Sequence, residues 1–403
     1  MKRSLLPLLL VFLLLLPVGC AAPAPATVEA NPETPAEPEL RGIWISCYEL
    51  NFGCLSEADF RARIGEMFDQ ASVYGLNAVF VHLRANSDAF YPSALFPWAK
   101  QFTGADGSTP DFDTLTVMIE EAHSRGLAFH GWLNPYRITG SYTGTETLHD
   151  LQPAKTWLTD QDSANDNWAV AAAGGLYYNP GVNEVQRLIL DGVRELAEKY
   201  PLDGIHFDDY FYPTTEESFD AATYAVYLDS AGAGAMSLDD WRRTHVNTLV
   251  SGVYSICKSY GKTFGISPAA AISGDHSDRN YTELYADLPL WMSTAGYVDY
   301  VAPQLYFGFE YPYENFSYDA LIEAWSELPR LDSVKLHIGL AAYKIGTQDA
   351  GSEEWMTSDD ILKRQVLLAR ESGCDGFILY SYTAFTSTDA ACQAQMQNLK
   401  NVL

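Results

Sequence analysis

The segment Asp203-Gly204-Ile205-His206-Phe207-Asp208-Asp209-Tyr210-Phe211-Tyr212-Pro213 packs more ionisable and aromatic side chains together than any other stretch of the chain. Carboxylates closing a short apolar run suit acid/base work on a glycosidic bond, where one group protonates the leaving oxygen and another stabilises or attacks the cationic sugar. If the run is a strand, its period of two turns Ile205 and Phe207 to one face and His206, Asp208 and Tyr210 to the other. Asp208 is therefore the first candidate for the general acid. The competing role is a carboxylate that only organises the strand end through His206, Arg84 or loop amides. Asp209 should turn outward by parity unless the strand has already given way to loop; it could be the second catalytic carboxylate, a ligand holder or a helix cap. Glu310 and Asp88 are held in reserve, because the usual retaining arrangement would add a glutamate where the chain has Ala341-Ala342-Tyr343-Lys344.

Sugar rings need apolar platforms and fixed hydrogen-bonding groups. Trp132, Tyr136, Tyr210, Tyr212, Tyr306 and Tyr343 offer the first, each with packing in the core as its alternative role, and Trp44 joins them by inward parity. Arg84, Asn86, Asn134, Arg137 and Gln304 offer the second, with Arg84 also a candidate counter-ion for Asp208. His82, His130, His206 and His337 share inward parity, which raises a metal-dependent deacetylase or amidase as a further reading. The HxH, HExxH and CxxC spacings of metal sites are absent, so neither metal nor cofactor is expected.

These side chains must be positioned by a repeated unit: a short β-branched and aromatic run ending in polar residues, a loop, then a stretch with helical periodicity. The runs are Arg41 to Ser46, Asn77 to Arg84, Ala128 to Asn134, Gly204 to Asp209, Thr263 to Pro268, Tyr300 to Phe307, Lys335 to Ala341 and Gly376 to Tyr382. Helices are predicted at Glu57 to Tyr74, Phe112 to Arg125, Val182 to Lys199, Leu238 to Tyr260, Tyr318 to Leu328 and Ser358 to Ser372. Strict alternation implies a parallel sheet, and eight units in one domain favour closure into a (β/α)₈ TIM barrel with loop insertions, class α/β. Parity also places Ser46 and Tyr380 inside. Polar and aromatic groups converging on one end, in place of layers of Val, Ile and Leu, point to a ligand site.

Met1-Lys2-Arg3 followed by an apolar stretch through Leu16 has the build of an export signal, too short to span a bilayer. Pro17-Val18-Gly19-Cys20 resembles the lipobox of bacterial lipoproteins, so residues 1–20 are read as a lipoprotein signal peptide with Cys20 lipidated, the alternative being an ordinary cleaved signal that happens to contain a cysteine. Residues 21–39, rich in Ala, Pro, Glu and Thr, read as a flexible tether, and 40–403 as one TIM-barrel domain with insertions. The expected location is extracytoplasmic, with the membrane touched only through the lipid. A formal charge of -27 argues against nucleic acid and anionic headgroups, whose recognition needs clustered Lys and Arg. A neutral polysaccharide is the expected partner; the sequence leaves the oligomeric state open. Cys47 and Cys54 are close enough in sequence to bridge, whereas Cys257, Cys374 and Cys392 are expected to pack as small buried side chains.

Several segments, in order, carry a family resemblance: Arg41-Gly42-Ile43-Trp44-Ile45-Ser46, the Arg84-to-Ser93 stretch RANSDAFYPS, Trp132-Leu133-Asn134-Pro135-Tyr136-Arg137, and the Asp203-to-Pro213 strand. Trp241-Arg242-Arg243 with Asn247, Gly265-Ile266-Ser267-Pro268 and Pro303-Gln304-Leu305-Tyr306 complete the set. Together they resemble the glycosyl-hydrolase-like 10 family of bacterial envelope proteins. The resemblance implies a barrel related to glycoside hydrolases and hydrolysis of a polysaccharide such as peptidoglycan, with a non-catalytic carbohydrate-binding lipoprotein as the rival reading. It implies no particular catalytic pair. The Asp203-to-Pro213 strand is also similar to the DGxDxDxEYP strand of chitinase-type enzymes, but Tyr210 stands where that motif has its catalytic glutamate, so that mechanism is not carried over.

Overall fold

A computed structural model describes residues 38–273 and 275–403. The signal, the Cys20 lipidation site and nearly all of the tether lie outside the described residues. Glu39–Leu403 forms one compact unit.

Its strands are β1 (Leu40–Ile45), β2 (Ala78–Arg84), β3 (Ala128–Leu133), β4 (Arg137–Thr139), β5 (Ala169–Ala172), β6 (Gly175–Tyr178), β7 (Gly204–Phe207), β8 (Thr263–Ile266), β9 (Tyr300–Val301), β10 (Lys335–Leu340) and β11 (Gly376–Leu379). Eight of them close a parallel barrel in the order β1-β11-β10-β9-β8-β7-β3-β2, sealed by the pairing of Leu40 with Gly376. This is the expected (β/α)₈ architecture, and every barrel strand falls within one residue of a predicted run at its start. The insertion between β3 and β7 adds a small antiparallel sheet, β4-β6-β5.

Several helices begin at a capping side chain. Ser56 accepts from the Asp59 amide ahead of Glu57–Val73, Asp113 from Leu115 and Thr116 ahead of Thr114–His123, and Ser237 from Asp240 ahead of Leu238–Ser259. Outward-facing Ile43, Val79, Phe129, Ile205, Phe264, Ile338 and Leu379 pack against this helical layer in the main core.

The barrel interior is filled differently. Trp44, Phe80, Trp132, Tyr300 and Ile378 form a separate inner cluster. Glycines make room for it: a Cβ on Gly265 would overlap the Tyr300 ring, and one on Gly339 would press on Trp44 at 3.0 Å. Aromatics and imidazoles thus replace the usual aliphatic layers.

Strand parity fails at one place. The β2–β3 register slips between His82 and Arg84, so His82 faces the interior while Leu83 and Arg84 both leave it. Arg84 lies over the Phe96 ring at 4.7 Å, against the helix Asn183–Lys199 at Gly192. It is buried in the helical layer and is not the counter-ion of Asp208.

Cys47 and Cys54 are free thiols, so the expected proximity does not become a disulfide. Cys257 and Cys392 are buried and Cys374 half-buried. No helix among the described residues is long and apolar enough to cross a membrane.

Candidate active site

The cavity at the C-terminal mouth of the barrel holds about 240 Å³ and is lined by residues of six strand ends, among them Trp44, Trp132, Asp208, Asp209, Gln304 and Tyr306. Its floor is a chain of neutral groups. The Trp44 indole can only donate, so the Nε2 of His206, 3.1 Å away, must accept and carries no proton. The proton therefore sits on Nδ1, which donates to the Tyr300 hydroxyl at 3.0 Å; that hydroxyl in turn donates to His130 Nδ1 at 3.3 Å. Ser267 adds a second donor to His206 Nε2 at 3.2 Å. Burial, reinforced by the surrounding imidazoles, holds His206 well below the usual histidine range.

The other interior histidines are neutral for the same reason. Burial lowers His82 to about 3, His130 to about 4 and His337 to about 3. His82 stacks flat on Trp132, with ring centroids 3.6 Å apart, accepts the Cys47 amide at Nδ1 and donates to Asn134 Oδ1 at 3.4 Å. Among the described residues no three His, Cys, Asp or Glu side chains gather as a metal site.

Above this floor stand the two carboxylates. Strand β7 ends at Phe207, one residue before Asp208, and this decides the question parity left open: in the loop that follows, Asp208 and Asp209 both line the cavity. Asp208 is 2 % exposed; its carboxylate accepts the Trp132 indole N–H at 3.1 Å and the Tyr210 amide at 3.0 Å. Asp209 is half-buried and accepts the Gln304 amide at 3.3 Å, while Gln304 also donates to the Ser267 carbonyl at 3.0 Å. Among the described residues neither aspartate has an ion-pair partner within salt-bridge distance.

Burial raises Asp208 to about 7, and the charge of Asp209 pushes the same way; Arg137 and the two N–H donors pull against it. Burial raises Asp209 too, opposed by the charges of Arg279 and Arg137. The pair therefore holds a proton near neutrality, which belongs to the two groups jointly.

The remaining walls are aromatic. Tyr306 and Tyr380 stack at 5.6 Å with 15° between their planes, and Trp44 meets both edge-on or nearly so. Tyr210, 47 % exposed, leans over the entrance with the Arg137 guanidinium 4.4 Å from its ring. Tyr343 is on the exposed rim, edge-on to Tyr306 and Tyr380.

Other predicted residues stand behind these or away from them. Asn134 and Arg137 both donate to the Ala85 carbonyl, and Asn86 is half-buried in the same loop. Asp88, a reserve carboxylate, is raised to about 6 by burial but does not line the cavity. Glu310, the other reserve, is exposed. Tyr136 is fully buried against Gln186, and Tyr212 packs between Tyr285 and Phe219, so both belong to the core rather than to the cavity. Ser267 was not singled out for its chemistry, although alternation from Gly265 places it inward. Tyr380 has inward parity and proves to be a cavity wall. Glu49 steadies that wall by accepting from the Ser46 amide, the Ser381 hydroxyl and the Thr383 amide, a junction of β1 and β11 loops that no local pattern announces.

A family profile described as glycosyl hydrolase-like 10 matches residues 39–357. The chain is 37% identical over 355 residues to "Glycosyl hydrolase YngK" of Bacillus subtilis (strain 168), covering 83% of this chain and 66% of that protein. It is 32% identical over 400 residues to "Glycosyl hydrolase DigH" of Escherichia coli (strain K12), covering 89% of this chain and 88% of that one. Among solved structures, the PgaB (BpsB) glycoside hydrolase domain from Bordetella bronchiseptica superposes with a TM-score of 0.58 at 14% identity, over 90% of this chain and 99% of that domain. At that identity the superposition bears on the fold alone.

Proposed function

The chain belongs to the glycosyl hydrolase-like 10 family, and from that premise we propose that it hydrolyses glycosidic bonds of a polysaccharide, with the glycan strands of peptidoglycan as substrate. The single observation that carries this reading is the Asp208–Asp209 pair, buried beside aromatic walls and without a cationic partner among the described residues. A carboxyl group that is still protonated near neutrality can give its proton to the leaving oxygen. In this reading Asp208 is the general acid, and Asp209 stabilises the positive charge that develops on the sugar as the bond breaks. The flat faces of Trp44, Trp132, Tyr306 and Tyr380 would receive the ring, and Gln304 and Tyr210 would meet its hydroxyls.

The location belongs to the same proposal. An export signal and a lipidated Cys20 would hold the enzyme outside the cytoplasm on a tether, within reach of the cell wall. One observation favours the rival, purely binding role: among the described residues the wall facing the pair carries aromatics and no carboxylate.

The test is to incubate the protein with purified peptidoglycan, intact and stripped of its peptides, and to analyse released fragments by mass spectrometry beside Asp208→Asn. Fragments from the wild type alone are expected. Retention of both proteins on the glycan without fragments would instead favour the binding role.

A further inference from the structure

Both carboxylates of the cavity stand on one wall. The ring order puts β11 and its neighbour β1 across the barrel from β7, and what these strands bring to the cavity is Tyr380 and Trp44. A retaining glycosidase that supplies its own nucleophile needs a second carboxyl group roughly 5–5.5 Å from the acid, on the other face of the anomeric carbon. An inverting one needs a base roughly 6.5–9.5 Å away, with water between. Among the described residues the facing wall provides neither. Tyrosine can replace the carboxylate in some enzymes, but burial and the charge of Glu49 push the Tyr380 phenol up to about 12, so it is not available as a phenolate.

The nucleophile then has to arrive with the substrate. Resting on the hydrolase reading above, we propose that the site acts on 2-acetamido sugars and that the acetamido oxygen of the ring in the cavity attacks that ring's own anomeric carbon. The step balances within substrate, protein and water. Asp208 gives its proton to the glycosidic oxygen as the C1–O bond breaks and its electron pair leaves with the departing alcohol. The acetamido oxygen forms the new C1–O bond, closing an oxazolinium ring, and Asp209 accepts a hydrogen bond from the amide N–H and offsets the charge. Water then adds to C1 and gives its proton back to the Asp208 carboxylate. The acetamido C1–O bond breaks, its electron pair restores the amide, and two inversions leave the anomeric configuration retained.

The cavity suits this division of labour. Trp132, from β3, fixes Asp208, while Gln304, which follows β9, fixes Asp209, so one group can face the leaving oxygen and the other the amide. At about 240 Å³ the cavity lies below the roughly 300–1,000 Å³ that encloses a drug-sized ligand, room for a ring and its acetamido group rather than for a chain. The acetamido methyl would rest on the apolar faces of Trp44, Tyr306 and Tyr380. The glutamate that Tyr210 replaces in the chitinase-type motif is not required, because acid and amide holder are here consecutive residues.

The test keeps the whole protein and varies the sugar. A thiazoline analogue of the cyclised N-acetylglucosamine should inhibit competitively and bind at least about 10²-fold tighter than N-acetylglucosamine itself, as expected for a mimic of a high-energy species. Chemically N-deacetylated glycan should be cut at least about 10³-fold more slowly than the same material re-acetylated, since the intramolecular nucleophile is gone. Proton NMR should find the first-formed reducing end with retained configuration. An inverted product, equal cleavage of deacetylated glycan, or thiazoline binding no tighter than the sugar would overturn this inference and leave the hydrolase reading standing. Absence of cleavage of any glycan would overturn both.

Discussion

Asp208 and Asp220 sit in the same excursion after β7, and each is only 2 % exposed, yet their surroundings are opposite. Asp220 is gripped in bidentate fashion by Arg242, Nη2 to Oδ1 at 2.6 Å and Nε to Oδ2 at 2.9 Å. Arg242 spends its remaining donors on the Thr215 and Glu216 carbonyls and the Tyr285 hydroxyl. Every charge there is matched, and the ion pair fastens the excursion to the helix Leu238–Ser259. Asp208 has two N–H donors, no cation in contact among the described residues, and a second carboxylate next to it in the chain. A matched buried charge holds structure together, whereas an unmatched one stays ready to exchange a proton.

The comparison can be broken by mutation. Asp208→Asn should lower turnover of glycan by about 10²–10⁴-fold, the usual contribution of a general acid, while cooperative unfolding and glycan binding persist. Asp220→Asn should do the reverse. Removing one partner of a buried ion pair costs about 3–5 kcal/mol, so the unfolding midpoint in urea should fall sharply while the folded fraction keeps its kcat. If the two variants exchanged signatures, the distinction drawn here would be wrong.

Two smaller effects sharpen the point through pH. Burial and the Asp209 charge raise Asp208 to about 7, so kcat/KM for the free enzyme should fall as pH climbs through that value and the acid loses its proton. Asp209→Asn removes a negative neighbour, makes ionisation of Asp208 easier, and should move this alkaline limb to lower pH. Trp132→Phe removes a donor that favours the ionised form, so its limb should move the other way, to higher pH, by less than the Asp209 change. Limbs that moved together would mean that Asp208 is not the group being titrated.

Linkage fixes the sign of a further effect, on stability. A carboxyl raised in the folded state contributes stability that is full below its unfolded pKa and is lost as pH rises through the folded value. Between about pH 4, near the ordinary aspartate value, and the folded value of about 7, the wild type should thus lose stability relative to a variant with a neutral side chain at position 208. Denaturant midpoints measured across that window check it.

The sequence made the barrel legible because each barrel strand is a compact β-branched or aromatic run and the long helices between them carry apolar stripes, three of them behind a side-chain cap. The short sheet of β4, β5 and β6 was not legible, since strands such as Arg137–Thr139 carry too few residues for a period to show. Parity correctly brought Trp44, Trp132, Asp208, Gln304 and Tyr306 to one cavity. It failed for Arg84, because a single bulged residue reverses the face of everything after it. Tyr136 and Tyr212, named as aromatic platforms with core packing as the alternative, take the alternative: they lie in loops beyond the strand ends, where tertiary packing decides direction. The Trp241-Arg242-Arg243 motif was visible, but its purpose was not: the partner of Arg242 is a carboxylate outside the motif, at Asp220.

The most direct test of the central claim is the titration of the Asp208 carboxyl carbon by NMR, in protein labelled at aspartate, with Asp208→Asn assigning the signal and Asp209→Asn as the perturbed variant. A midpoint near 7 that falls when Asp209 is neutralised is the predicted result. A midpoint near 4 in both proteins would mean an ordinary, ionised carboxylate, and would contradict the assignment of this pair as the proton donor.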